Sequence, residues 1–254
     1  MTASTIARRV RLTAVAGAVA LILGMTALPA AAQDISINFG QGGGGLTERV
    51  IQLIALLTVL SLAPSILIMM TSFTRIVVVL SLLRTALGTA TAPPNAVIIA
   101  LSLFLTAFVM GPALQRSYED GIKPLTNNEI SAQQAFDRAS VPLRAFMQKN
   151  VRDKDLQLFT DLSAEPRPAK LEDLSLRILV PAFMISELKR AFEIGFLLFL
   201  PFLIIDLVVA SVLMSMGMMM LPPVVVSLPF KLIFFVLVDG WSLVAGSLIQ
   251  SYGM

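Results

Sequence analysis

The sequence predicts an all-α membrane protein, made of kinked helical hairpins with a helical polar insert and built for oligomeric assembly. Three observations predict it. Of 254 residues, 56% are apolar and 14% charged, against roughly 45–50% and about 25% in soluble domains, and the mean hydropathy is +0.84. Uncharged apolar runs reach the roughly 20 residues that a helix needs to cross a bilayer core. No segment alternates apolar and polar residues for long enough to build a membrane barrel. A soluble enzyme is thereby excluded. The chain has no cysteine and no histidine, which removes thiol nucleophiles, disulfides, His–Cys zinc sites and imidazole relays. Neither a metal nor a cofactor is expected.

Residues 1–32 read as a signal peptide. Arg8, Arg9 and Arg11 form a positive start, an apolar stretch follows, and Pro29, Ala30, Ala31 and Ala32 give a small-residue cleavage site before Gln33. An uncleaved first anchor is the alternative. Net charge is +3; without those three arginines the chain is neutral, so nucleic acid is not expected as a partner. Residues 33–45 end in Gly42–Gly45 and read as a flexible linker.

Residues 46–114 read as a first apolar hairpin. Residues 50–70 carry no charge and include Pro64, and a second apolar run covers 96–114. Between them, 71–95 holds Arg75 and Arg84, no acid, and Pro93-Pro94. It reads as a short positive loop facing the cytoplasm.

Residues 115–177 hold ten basic and ten acidic side chains and read as a helical insert on the periplasmic side, since long segments cross largely regardless of charge. Ser131 and Gln134 have capping-box spacing. Ala132, Ala135, Phe136, Ala139, Leu143 and Phe146 recur at three- and four-residue steps, making one apolar face. Pro142 is expected to interrupt or kink that helix. Pro166 and Pro168 mark a break before the pattern restarts at Leu171.

Residues 178–254 read as a second helical hairpin. The apolar stretch 194–221 has one charge, Asp206; 224–249 has Lys231 and Asp239; Pro222-Pro223 separates them. The prolines at 181, 201, 222, 223 and 229 suit helices packed against other chains better than lipid-exposed spans. Asp206 and Lys231 stand alone in apolar sequence, where a charge costs at least ~2.5–3.5 kcal/mol. Glu187 and Arg190, and Lys189 and Glu193, share helix faces just before the apolar run. These charges read either as structural ion pairs between helices or subunits, or as a proton or ion relay. Met214, Met216, Met218, Met219 and Met220, with Gly217 and Pro222-Pro223, make a methionine-rich break in apolar sequence. Methionine fills irregular and changing gaps, and irregular backbone at membrane depth lines a cavity or is buried in protein. Ordinary lipid-facing sequence is the alternative.

Five motifs carry a resemblance: MMTSFTRIVVVLSLLR over 69–84, PAFMISELKRAFEIGF over 181–196, LPFLIIDLVVAS over 200–211, MGMMMLPP over 216–223, and LPFKL with VDGW over 228–241. Residues 46–254 resemble the FliP family of flagellar biosynthetic proteins. The resemblance implies a non-enzymatic, pore-forming core subunit of the flagellar type III export gate. Such a subunit sits in the inner membrane within the basal body and passes unfolded flagellar subunits. It implies five copies assembled with FliQ and FliR, completion by FlhA and FlhB, and FliO for assembly. It further implies a gasket of Met216, Met218, Met219 and Met220, and intersubunit or buried charges at Glu187, Asp206 and Lys231, with Glu187 and Lys231 pairing across neighbouring copies. Ring contacts at Phe146 and Phe159 are implied as well. A homologous injectisome gate subunit, and then a small-solute or proton transporter, are the alternatives. No G-x-x-x-x-G-K-[ST] phosphate loop occurs.

Overall fold

The computed structural model describes residues 46–163, 174–218 and 220–253. The signal segment, its Ala32–Gln33 site, the glycine linker, Pro166, Pro168, Leu171 and Met219 lie outside the described residues. Every long regular element among those residues is helical, so the all-α membrane fold is as the composition requires. From Gln52 onward the chain forms one compact unit.

Helix α1 (Leu46–Met69) is apolar all round and contains Pro64. Thr58 donates its hydroxyl to the Ile54 carbonyl at 2.7 Å, and Ser61 to Thr58 at 2.9 Å. These bonds satisfy the polar side chains locally, as an apolar surrounding demands. Ile54, Leu57 and Leu60 are exposed. A helix apolar on every side is stable only against lipid or other protein.

The expected loop over 71–95 is corrected to a shorter connection over 88–94. Phe73–Leu87 is a helix, α2, and it is the most deeply packed one: Ile76, Val79, Leu80, Leu83, Ala86 and Leu87 face inward at helical spacing. Arg75 is on the same buried face. A positive charge reads as a loop marker only while its compensating carboxylate is unknown. That carboxylate comes from Glu187, 112 positions away.

Helix α3 (Asn95–Ser117) runs straight through Pro112, and a π-helical turn at Tyr118–Ile122 carries it into α4 (Lys123–Thr126). The π turn coincides with a close approach. A Cβ on Gly121 would lie 2.6 Å from the Ala139 Cβ and 2.7 Å from the Ala135 carbonyl oxygen. Ser117 adds a hydrogen bond to the Ala139 carbonyl at 2.8 Å. Backbone cannot give way as a side-chain tip can. Gly121→Ala should therefore overpack the contact and cost about 1–3 kcal/mol. A thermal unfolding midpoint equal to wild type would refute this.

The insert contributes α5 (Ala132–Asn150) and α6 (Asp153–Leu162). Ser131 and Gln134 do form the capping box. Pro142 does not interrupt α5, which continues unbroken to Asn150. Phe136 departs from the expected apolar face and is exposed, whereas Ala135 and Met147 are buried. Met147, Leu174, Ile178, Leu179 and Phe183 form a small core between the insert and the next helix.

Helix α7 (Leu176–Ser215) has 40 residues and passes through both Pro181 and Pro201. At 1.5 Å per residue it is about 60 Å long, roughly twice the bilayer hydrocarbon thickness. The chain then turns into α8 (Pro223–Leu237), breaks at Asp239 and ends in α9 (Gly240–Gln250), bent by 63° from α8. The main core joins Ile76, Val79 and Leu83 of α2 to Phe202 of α7, Phe235 of α8 and Leu248 of α9. By length and composition Asn95–Thr126 and Leu176–Ser215 can each cross a membrane, and the bent pairs at 53–87 and 223–250 can each do so as broken spans. The protein is a multi-pass membrane protein.

Candidate functional site

The hairpin tip between α7 and α8 is set by local chemistry. Gly217 adopts φ +74, donating to the Met214 carbonyl at 3.1 Å while Met218 donates to Leu213 at 2.9 Å. This double bond pattern around a left-handed glycine is the Schellman termination of a helix. Pro222 and Pro223 then start α8, a helical opening in which the missing N–H costs nothing. Met216, Met218 and Met220 are 63%, 45% and 98% exposed. Their thioethers point away from the protomer's own core. The tip is thus an unpartnered, deformable apolar surface.

The first charge pair lies in the packed interior. Arg75 is 1% and Glu187 0% exposed at the side chain. Arg75 Nε donates to Glu187 Oε2 at 2.8 Å, and its Nη2 donates to Oε1, a two-pronged guanidinium–carboxylate fit. Tyr252 donates its hydroxyl to the same Oε2 at 2.5 Å. Arg75 Nη1 donates to Ser251 Oγ at 2.9 Å, and the guanidinium lies 3.8 Å from the Tyr252 ring centroid. Burial raises the Tyr252 pKa, and the Glu187 charge acts the same way, so the phenol stays a neutral donor.

The second pair is Lys231 and Asp206, with Nζ–Oδ2 2.6 Å. Lys231 also donates to the Ala86 carbonyl at 3.2 Å, near the carboxyl end of α2 where a cation is favoured. Ser227 donates to Asp206 Oδ1 at 2.5 Å. One polar pin therefore joins α2, α7 and α8. Alongside it α7 and α8 enclose an apolar groove of about 470 Å³, lined by residues that include Val208, Val212, Leu213 and Val226.

The pairing implied by the resemblance, Glu187 with Lys231, is one between copies; within this chain each of the two has a different partner. Both Glu187 oxygens are taken by Arg75 and Tyr252, and Lys231 is taken by Asp206. Each carboxylate already faces a cation of its own chain, the arrangement of structural ion pairs between helices. Lys189 and Glu193 do meet, at 3.9 Å on the exposed face.

Phe146 and Phe159 are half-buried against the small insert core. Phe146 meets Phe183 edge-on at 6.0 Å and stacks on Tyr252 at 5.7 Å. A separate polar joint holds α6 to α7: Ser186 donates to Asp155 Oδ2 at 2.7 Å, and Arg152 pairs with Asp155 at 2.8 Å. The Arg152 hydrogen bond holds the Asp155 carboxyl below the ordinary carboxylate range. Sequence reasoning missed Arg75, Tyr252, Ser227 and this joint. Arg75 alone carried a usable signal, because a lone charge amid apolar residues demands a partner. Among the described residues no three of His, Cys, Asp and Glu converge as a metal site.

Fold and site define a multi-pass all-α membrane protein with an apolar, methionine-rich hairpin tip and internally paired charges. The FliP family matches residues 56–248, and the chain belongs to that family. It is 61% identical to the flagellar biosynthetic protein FliP of Caulobacter vibrioides, covering 96% of this chain and 91% of the relative. The FliP of Bacillus subtilis is 56% identical, over 80% and 91%. That of Aquifex aeolicus is 53% identical, over 85% and 91%.

Proposed function

We propose that this chain is a pore-forming core subunit of the flagellar type III protein export gate, passing unfolded flagellar subunits across the inner membrane. The observation that carries the reading is the exposed methionine tip in a FliP-family chain. A closed pore must stop ions yet admit polypeptide. Stacked flexible apolar side chains around a narrow axis do both, since a hydrophobic constriction excludes water until something displaces it. In this reading Met216, Met218, Met219 and Met220 of several copies form the seal. The subunit is non-enzymatic and part of an export apparatus. Its copies, five in number, assemble with FliQ and FliR; FlhA and FlhB complete the apparatus and FliO aids assembly. The insert, with Phe146 and Phe159 near its ring contacts, faces the periplasm, and residues 1–32 are removed after Ala32, before Gln33.

The names of the relatives support a flagellar client over an injectisome one. A proton transporter needs titratable groups free to change charge, whereas Glu187 and Asp206 are bound to Arg75 and Lys231. The test is ion conductance of the assembled gate with Met216, Met218, Met219 and Met220 replaced by alanine. The expected result is a higher leak with assembly intact. An unchanged leak would overturn the gasket.

A further inference from the structure

Tyr252 occupies a position that the export function alone does not explain. It follows α9, yet it is buried, and it touches three other parts of the chain. Its hydroxyl reaches Glu187 of α7, its ring lies under the Arg75 guanidinium of α2, and its outer face stacks on Phe146 of α5 at an interplanar angle of 26°. Phe146 has one other aromatic neighbour, Phe183 of α7. One phenol ring thus touches both the buried ion pair and an insert side chain. We infer that Tyr252 is a positioning residue that couples the insert helix α5 to the Arg75–Glu187 pair and to α9, and that Phe146 acts on that pair and on α9 through Tyr252.

The argument is physical. A packed side chain transmits displacement because interiors are as dense as crystals. Shifting Phe146 displaces the Tyr252 ring, which carries both the hydroxyl donated to Glu187 and the surface facing Arg75. Neither charge can follow freely, because Arg75 is also held by Ser251. Motion of the insert is thus felt at the end of the α8–α9 pair.

The test is amide hydrogen exchange of the full chain in detergent, with Phe146→Ala, Tyr252→Ala and the double variant. Each single change should speed exchange in both α5 and α9 by roughly tenfold, the scale of one aromatic contact. The double variant should fall short of the sum of the two singles, because the contact between the two rings is lost in each. Tyr252→Phe keeps the ring and should preserve α5 protection. If Tyr252→Ala is not recovered folded, Tyr252→Leu with Phe146→Leu completes the same cycle. Additive effects, or Phe146→Ala loosening α5 while α9 exchanges as in wild type, would overturn the coupling. The readout involves neither leak nor export, so it stands or falls apart from the gasket.

Discussion

Glu187→Ala should destabilise the single protomer by about 3–5 kcal/mol, the usual cost of removing one partner from a buried ion pair. The magnitude follows from what remains. The Arg75 guanidinium is left without its carboxylate, and at 1% exposure nothing from outside the fold replaces it. The Tyr252 hydroxyl loses its short bond to Glu187 at the same time, leaving only the longer one to the Ser72 carbonyl at 3.4 Å. Arg75→Ala should be comparably damaging, since it strands the Glu187 charge. The double variant Arg75→Met with Glu187→Leu should be less damaging than either single change, because it removes both desolvation penalties and refills the volume. Thermal unfolding of the detergent-extracted protomer measures this. Were Glu187→Ala to melt like wild type as a protomer and fail only in assembly, the residue would belong to an interface between copies and not to the fold.

That contrast shows which parts of the molecule were legible in the sequence. The capping box at Ser131 and Gln134 was, because both bonds close within three residues. The methionine tip was, because glycine and two prolines in apolar sequence force a non-helical turn. The isolation of Asp206 and Lys231 was, because a charge in an apolar run announces a missing partner. The identity of partners was not. Arg75 meets Glu187 across 112 positions and Lys231 meets Ala86 across 145, and no local rule spans such distances. Misreading Arg75 as a loop charge cost the sequence argument helix α2, the centre of the core. The effect of prolines on helix continuity was legible only in part. Pro142, Pro181 and Pro201 each remove one backbone bond, but packing holds α5 and α7 continuous across them. Tyr252 gave no signal at all, since an aromatic after a helix is unremarkable until its neighbours are known.

Asp206→Ala should be more damaging than Lys231→Met, although the two changes break the same bond. The side chains differ in how fully the protomer encloses them: Lys231 is 4% exposed and Asp206 24%. Removing Asp206 leaves an ammonium with only the Ala86 carbonyl as acceptor, a cost approaching the ~3–5 kcal/mol of a broken buried pair. Removing Lys231 instead leaves a carboxylate that still accepts from Ser227 and is less enclosed by the protomer, so about 1–3 kcal/mol is expected. Asp206→Asn should fall between the two, since its amide oxygen can accept from Lys231 without neutralising it. The ordering is read from thermal midpoints of the extracted protein, and equal losses for the two truncations would show that exposure does not govern the pair. A functional consequence follows from where the pin sits. It fixes α8 to α7 and α2 only a few turns from the methionine tip. In Asp206→Ala the tip should therefore lose its fixed position, and an assembled gate should leak ions even with all its methionines intact. A tight gate in a chain that has lost this pin would mean that neighbouring copies alone hold the tip in place.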